Sequence, residues 1–321
     1  MNTYRRALFG LVLALPLGAL QAQTWPNKPV RMVVAFPPGG PADAVARAIG
    51  QAISPALAQQ VIVDNRPGAL GTIGADSVAR SPADGYTALL GFSGGHSLTP
   101  AIMTMKYDPL KELPPLLGVA RSAMVLVTGS KNKGMTLQDF IKLAKSKSDP
   151  VNVGGIGTGS TNHLVGELFK RAAGIKGQHV PYNGASPLAL AAISGEVELA
   201  VIDVGGVLSY LNSGNLIALA VASDKRSEFL PNVPTTAEAG FPTVVSENVY
   251  GVFLPKGVPN DIQSKLGSAI ATAIGSQPVQ EQFHRLGLVP QVIAKAELDA
   301  LIKKQAETLV PIAQELKIRM D

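Results

Sequence analysis

The chain has no cysteine and few charged residues. Of its 321 residues, charged side chains make up 16%, with 28 Lys+Arg against 23 Asp+Glu. The lack of cysteine excludes a disulfide scaffold, a thiolate metal site, a cysteine nucleophile and a lipid anchor on an N-terminal cysteine. Because the apolar fraction reaches 46%, a disordered chain is excluded as well. Glycine and proline are plentiful, at 33 and 24 residues.

The first 22 residues predict a secretion signal. Arg5 and Arg6 precede an apolar run over residues 7–20, and Ala22 is a small residue at a cleavage position. The run is shorter than the ~20 residues of a membrane span. Cleavage leaves 26 basic and 23 acidic residues, a net charge of +3. This charge is too small to indicate a nucleic-acid-binding protein. We expect a free periplasmic protein, exported by the general secretory or the twin-arginine route.

Short apolar runs alternate with helical patterns along the rest of the chain. The predicted strands cover residues 30–36, 61–64, 87–92, 151–154, 178–182, 198–203 and 216–222. The predicted helices cover residues 41–57, 73–80, 136–147, 160–173, 187–194, 207–212, 261–274, 279–286 and 298–315. This alternation predicts an α/β fold with mainly parallel sheets, and the continuous apolar strands indicate helices on both faces.

The length of the secreted chain favours two domains. The segments 107–115 and 240–257 are interpreted as connections. We therefore predict one domain from residues 23–125 plus 250–321, and a second, inserted domain from residues 126–249. Two crossovers between domains are typical of a hinge that closes over a ligand.

Loops rich in glycine and small polar residues follow several predicted strands. The carboxyl ends of parallel strands are where open α/β sheets bind ligands, and glycines let a ligand approach the backbone. The candidate ligand-binding residues are Phe36, Pro38, Gly39, Gly40, Ala42, Asp43, Ser93, Gly157, Thr158, Gly159, Ser160, Asn162 and Asp203. Plainer interpretations stay open: a Gly-Pro turn with Asp43 serving the helix dipole, a simple turn at 157–160, and a helix cap at Asp203.

The same motifs exclude most cofactor chemistry. The 157–160 loop is followed by no Gly-Lys-Ser/Thr and misses G-x-G-x-x-G by one position. No histidine pair has metal-ligand spacing, and no carboxylate cluster is present. Ser93 lies in a literal G-x-S-x-G, but no histidine in a late loop completes a triad, so a periplasmic serine hydrolase is a remote alternative. We expect no cofactor, no metal and no catalysis.

Longer motifs occur in order along nearly the whole secreted chain. They include Trp25-Pro26-Asn27-Lys28-Pro29, Phe36-Pro37-Pro38-Gly39-Gly40, Asn65-Arg66-Pro67-Gly68-Ala69, Asp84-Gly85-Tyr86-Thr87, His163-Leu164, His179-Val180-Pro181-Tyr182 and Val233-Pro234-Thr235-Thr236-Ala237-Glu238-Ala239-Gly240. In these motifs the chain resembles the periplasmic solute-binding receptors of tripartite tricarboxylate transporters, the Bug family.

The resemblance implies a two-domain periplasmic-binding-protein (Venus flytrap) fold with a ligand cleft between the domains. Such a receptor captures a small organic anion and delivers it to membrane permease subunits. The family holds the ligand carboxylate with loop backbone, small hydroxyls and ordered water, here against residues 38–43 and 157–160. That agrees with the lack of Lys and Arg in the candidate loops.

Departures from the family pattern bear on the ligand. Val249 stands where the family usually has Trp, Asn183 replaces a basic residue, Thr99 replaces Asn, and Gly205-Gly206 is unusually small. A smaller lining would admit a bulkier, aromatic dicarboxylate. A ligand-loaded sensor subunit for a membrane histidine kinase is the alternative function. In either role we expect a monomer.

Overall fold

The computed structural model describes residues 25–320, so the predicted signal peptide lies outside the described residues. Its strands are β1 Val30–Val34, β2 Val61–Asn65, β3 Thr87–Phe92, β4 Pro115–Gly129, β5 Val151–Ile156, β6 Gly177–Tyr182, β7 Leu199–Asp203, β8 Leu216–Val221, β9 Glu247–Phe253 and β10 Val289–Ala294. Its helices are α1 Pro41–Leu57, α2 Thr72–Ala79, α3 Ser93–Ser97, α4 Thr99–Ile102, α5 Pro109–Glu112, α6 Leu137–Ser146, α7 Thr161–Ala173, α8 Ala185–Ser194, α9 Val204–Asn212, α10 Asn260–Ile274, α11 Gln277–Arg285 and α12 Lys295–Glu315.

The strands join into one sheet with the order β2-β1-β3-β9-β4-β7-β5-β6, and β8 and β10 also pair with β4. We call the side containing β1, β2, β3 and β10 the first lobe, and the side containing β5, β6, β7 and β8 the second lobe. Within each lobe the β–α–β units pair in parallel, as predicted. The pairs that β4 and β9 make are antiparallel. The α/β class of the prediction is confirmed.

Strand β4 is the element that both lobes share. It is 15 residues long. Its first half pairs with β9 and β10, and its second half pairs with β7 and β8. The sequence patterns predict none of β4, β9 and β10, and they place the segment containing β9 in a connection. Their apolar runs are broken by polar residues such as Arg121 and Asn248, whose partners lie far away in sequence.

Hydrophobic clusters fill both lobes. The first-lobe core packs α1, α10 and α11 on the sheet through residues such as Ile49, Leu90 and Phe283. The second-lobe core is built around Phe140 and Phe169. That core also takes in Leu309, Ile312 and Ile318 from the end of α12 and the tail that follows. The predicted domain boundaries stay a proposal, and the end of α12 packs across them.

An ion-pair network lies where β4 passes between the lobes. Arg121 Nη1 lies 3.3 Å from Glu247 Oε2, and Nη2 lies 2.8 Å from Glu297 Oε1. Its Nε donates to Gln291 Oε1 at 2.8 Å. These bonds tie β4 to β9, β10 and α12 at the crossover. Among residues 25–320, no helix is long and apolar enough to cross a membrane.

Candidate ligand-binding cleft

Three aromatic rings line the sheet edge at the carboxyl ends of β1 and β3. The ring centroids of Phe36 and Phe92 are 4.6 Å apart, and Phe92 meets Tyr250 edge-on at 4.6 Å. Burial raises the pKa of the Tyr250 hydroxyl, and the nearby charge of Asp203 raises it further. The hydroxyl therefore stays protonated and remains a hydrogen-bond donor at neutral pH.

Asp203 ends β7 and bridges three elements of the fold. Its Oδ1 accepts from Asn248 Nδ2 at 2.9 Å, and its Oδ2 accepts from Asn162 Nδ2 at 3.4 Å. Burial raises the pKa of its carboxyl, against the hydrogen bonds from the two asparagines that lower it. Asp203 occupies the N-cap position of α9, yet its side chain makes no capping bond. The helix-cap interpretation of Asp203 is therefore wrong.

Hydrogen bonds among its own residues and the first turns of α1 hold the loop between β1 and α1 in shape. Gly39 has a φ of +83°, and its N–H donates to Asp43 Oδ2 at 3.0 Å. The same oxygen accepts from Arg47 Nε at 2.9 Å, and this bond is the main reason that the pKa of Asp43 is lowered. Asp43 thus fixes the loop with its charge neutralised. Gly40 is the N-cap of α1 and offers no side-chain capping bond.

The neighbouring residues of that loop differ in exposure. Pro38 and Gly39 are exposed, while Ala42 is buried in the first-lobe core. The carbonyl oxygen of Phe36 accepts from Asn65 Nδ2 at 3.1 Å, which fixes the end of β1. Among these predicted residues, Ala42 has its side chain turned away from solvent. It can therefore offer only its backbone at the loop surface.

The loop between β5 and α7 begins the longest helix of the second lobe. Gly157 and Gly159 have φ angles of +67° and +79°, a region that favours glycine. Ser160 is the N-cap of α7: its Oγ accepts from His163 N–H at 3.2 Å and donates to the Gly157 oxygen at 3.0 Å. Thr158 is partly buried between the two glycines.

Close approaches bring the two lobes together around this region. A side chain at Gly94 would lie 2.6 Å from Thr161 Oγ1, so α3 touches the start of α7. A side chain at Gly157 would lie 3.8 Å from Leu70 Cδ2, in the turn before α2. Gly71, beside Leu70, lies against the ring of Phe36. The Leu70–Gly71 turn therefore lies between the two predicted loops.

Ser93 is buried, and its hydroxyl makes a hydrogen bond inside the protein. Its side chain is 1% exposed, and its hydroxyl accepts from Val249 N–H at 3.3 Å. It lines a cavity of about 80 Å³ beside α12, together with Leu301 and Gln305. The neighbouring His96 stacks on Phe253 at 3.9 Å instead of serving Ser93. Ser93 joins α3 to β9 through this hydrogen bond, and its ligand contact stays a prediction.

Two of the departures from the family pattern, Val249 and Gly205, lie in close packing contacts. Val249 is 2% exposed and packs with Val33, Leu298 and Ile302 beneath α12, so its small size does not widen the cleft. A side chain at Gly205 would overlap the backbone oxygen of Leu286 in the first lobe. The small residues there permit a close contact between lobes. These packing contacts account for the small residues, and the wider site stays a prediction.

Several residues of the site were not predicted. They are Phe92 at the end of β3, whose ring contacts Phe36 and Tyr250, and Tyr250 and Asn248 in β9. Asn248 donates to Asp203. The alternation of β9, with Asn248 and Tyr250 on one face and Val249 on the other, is the signal that would have revealed Asn248 and Tyr250. Another cavity between the lobes, of about 240 Å³, is lined by Arg121, Phe229 and Gly287.

Comparison with known proteins identifies the family. A model described as "Tripartite tricarboxylate transporter family receptor" matches residues 45–318. BugT of Bordetella pertussis is 35% identical over 316 residues, which are 96% of this chain and 96% of BugT. MatC from Rhodopseudomonas palustris with bound malate is 28% identical, covers 90% of this chain and 99% of its own, and has a TM-score of 0.78. An R. palustris protein solved with adipate is 31% identical, covers 92% and 99% of the two chains, and has a TM-score of 0.82.

These matches decide between receptor and enzyme. Members of the family are periplasmic solute-binding receptors, so the serine-hydrolase alternative is wrong. The matched region spans both lobes and includes the 157–160 loop, Asp203 and β9. From the extent of the match and the identity to BugT, this chain belongs to the tripartite tricarboxylate transporter receptors of the Bug type.

Proposed function

We propose that this protein captures a small carboxylate or dicarboxylate between its lobes in the periplasm. It then delivers that anion, as a monomer, to the membrane permease subunits of a tripartite tricarboxylate-type transporter. The predicted domains, residues 23–125 plus 250–321 and residues 126–249, are the two units that close on the anion. The malate and adipate bound to relatives support this class of ligand.

One observation carries the proposal. Two helices of 17 and 13 residues, α1 in the first lobe and α7 in the second, both begin at the predicted glycine loops. The first N–H groups of a helix lack partners within the helix, and they favour an anion. At α1 no side chain fills that role. Because Arg47 neutralises Asp43, the loop presents its backbone to a carboxylate without repelling it.

The aromatic rings supply an apolar wall for the rest of the ligand. Phe36, Phe92 and Tyr250 pack on one another beside the loop of α1. Such a wall suits a short carbon chain or a flat ring, and the Tyr250 hydroxyl offers a donor. Malate, adipate and benzene-1,4-dicarboxylate therefore make a panel that separates small, long and aromatic ligands.

Thermal unfolding with this panel tests the proposal. A ligand at ~100 times its dissociation constant adds ~2.7 kcal/mol to the free energy of unfolding. We expect at least one acid of the panel to raise the melting temperature. Gly40→Val should reduce this shift, because valine would cover the N–H groups at the start of α1. The matched control is Gly275→Val at the exposed end of α10, which should keep the shift.

Two outcomes would contradict the proposal. An unchanged shift in Gly40→Val would remove the α1 loop from the site. No shift with any of the three acids would remove the proposed ligand class. The sensor role stays an untested alternative, which a neighbouring kinase gene in place of a permease gene would favour.

A further inference from the structure

A histidine beneath the second ligand loop holds one of its backbone N–H groups. His163 lies in the first turn of α7 and is 6% exposed. Its Nδ1 accepts from the N–H of Gly159 at 3.0 Å. Its Nε2 lies 3.4 Å from Glu167 Oε1. Since a backbone N–H can only donate, Nδ1 must keep its lone pair, and the ring hydrogen is on Nε2.

Charged groups of opposite sign lie near the His163 ring. Glu167 would stabilise a charged imidazole, but Lys170 Nζ lies 2.6 Å from the same Glu167 oxygen and opposes that charge. The ring of His179, from β6, stacks on His163 with centroids 3.6 Å apart. Burial, followed by the charge of His163, lowers the pKa of His179 to about 4. His179 therefore stays neutral and does not carry the proton in place of His163.

The loop keeps its shape through hydrogen bonds, because its glycines are free to adopt other conformations. Gly157 and Gly159 both have positive φ angles. Besides the Ser160 cap, the Gly159 to Nδ1 hydrogen bond is the contact that fixes the loop to the helix. A proton on Nδ1 would set two donors against each other at 3.0 Å. Gly159 would then have to turn away, and the loop would change shape.

We propose that His163 is a positioning residue of the ligand loop, and that a proton on its Nδ1 releases the loop and weakens capture of a carboxylate. The part concerning the ligand rests on the proposed function. The part concerning the loop stands without it.

Nuclear magnetic resonance of the ligand-free protein tests the loop directly. Imidazole ¹⁵N spectra at pH 8 should show His163 with its hydrogen on Nε2. As the pH is lowered from 8, the Gly159 amide signal should shift in the same step in which the His163 ring takes up its second proton. A hydrogen on Nδ1 at pH 8, or a Gly159 amide that ignores the titration, would overturn the proposal.

Binding of malate and adipate at pH 7.5 and 5.5, by calorimetry, tests the link to capture. Wild type should lose affinity in acid by up to tenfold per pH unit, since one proton competes with the closed loop. His163→Asn keeps an acceptor without a titrating ring, so it should bind as wild type at pH 7.5 and lose less in acid. His163→Ala should bind weakly at both.

His284→Asn is the matched control, because His284 is about half exposed and far from the loop in sequence. It should keep the wild-type pH profile. A flat wild-type profile, or equal acid losses in wild type and His163→Asn, would contradict the proposal. If neither acid binds any of these proteins, the proposed ligand class fails, while the spectra still decide the role of His163.

Discussion

At the scale of the residue, His96 makes stability depend on pH. It is 4% exposed, stacks on Phe253, and its Nε2 lies 3.3 Å from the oxygen of Leu113. Burial lowers the pKa of His96 to about 4. Above pH ~6.5 the ring is neutral whether folded or unfolded, so it has no effect. As pH falls towards 4, the unfolded chain takes up a proton that the fold excludes, and stability is lost.

The expected loss from His96 between pH 7 and pH 5 is about 2 kcal/mol, at ~1.4 kcal/mol per pH unit. Denaturant unfolding at both pH values should show that His96→Gln loses less stability than wild type over this range. The pKa of His179 is also lowered to about 4. Its protonation therefore accounts for part of the stability loss that His96→Gln still shows. The control His284→Gln should follow wild type. Equal losses in wild type and His96→Gln would contradict the prediction.

Residue types in loops could be predicted better than their roles. The glycines at 39, 157 and 159 have the positive φ angles that their loops require. For Ser93 and Asp43, the sequence indicated polar groups near strand ends, but their partners come from β9 and α1. The partner of Ser93 lies 156 residues away in sequence, so no local pattern records it, whereas the i,i+4 spacing of Asp43 and Arg47 is a local signal.

At the scale of the element, helices were predictable because their ends carry local signals. Pro41 begins α1 as expected from proline at the first helical position. Helix α6 begins with a capping box: Asp139 N–H donates to Thr136 Oγ1, and Thr136 N–H donates to Asp139 Oδ2, each at 3.1 Å. Strand β4 has no such signal, because its identity depends on pairing with four other strands.

Removing the cap of α6 should lower stability measurably. Thr136→Ala leaves the first N–H groups of α6 without this acceptor, at an expected cost of about 1 kcal/mol. The matched control is Ser146→Ala at the other end of the helix, where the exposed hydroxyl bonds only to the Leu143 oxygen. It should change stability by less than about 0.5 kcal/mol. Equal effects of both changes in urea unfolding would contradict this role for the cap.

At the scale of the whole molecule, the lobes should unfold together. Strand β4 carries hydrogen bonds in both lobes, and α12 packs on β4, on α3 and on the second-lobe core. Gln305 of α12 accepts from Ser97 Oγ at 2.8 Å and donates to Ser246 Oγ at 3.3 Å. We expect one calorimetric transition, with equal calorimetric and van't Hoff enthalpies.

A core substitution makes this prediction sharper. Phe140 is 1% exposed in the second-lobe core, so Phe140→Ala should cost about 3–5 kcal/mol. If the lobes are coupled, the whole transition moves to lower temperature. The exposed Leu190→Ala in the same lobe should leave it nearly unchanged. Two transitions, of which Phe140→Ala moves only one, would show that the lobes unfold independently.

Residues 318–320, which follow α12, lie beside the second ligand loop, and this bears on where the protein can be labelled. The N–H of Met320 donates to the Ile102 oxygen at 2.9 Å, and a side chain at Gly159 would meet Ile318 Cγ2 at 3.4 Å and Met320 Sδ at 3.5 Å. A bulky label on residues 318–320 would therefore disturb the loop whose binding it is meant to report. Fusions for biosensors belong elsewhere, for example at the exposed turn around Gly134.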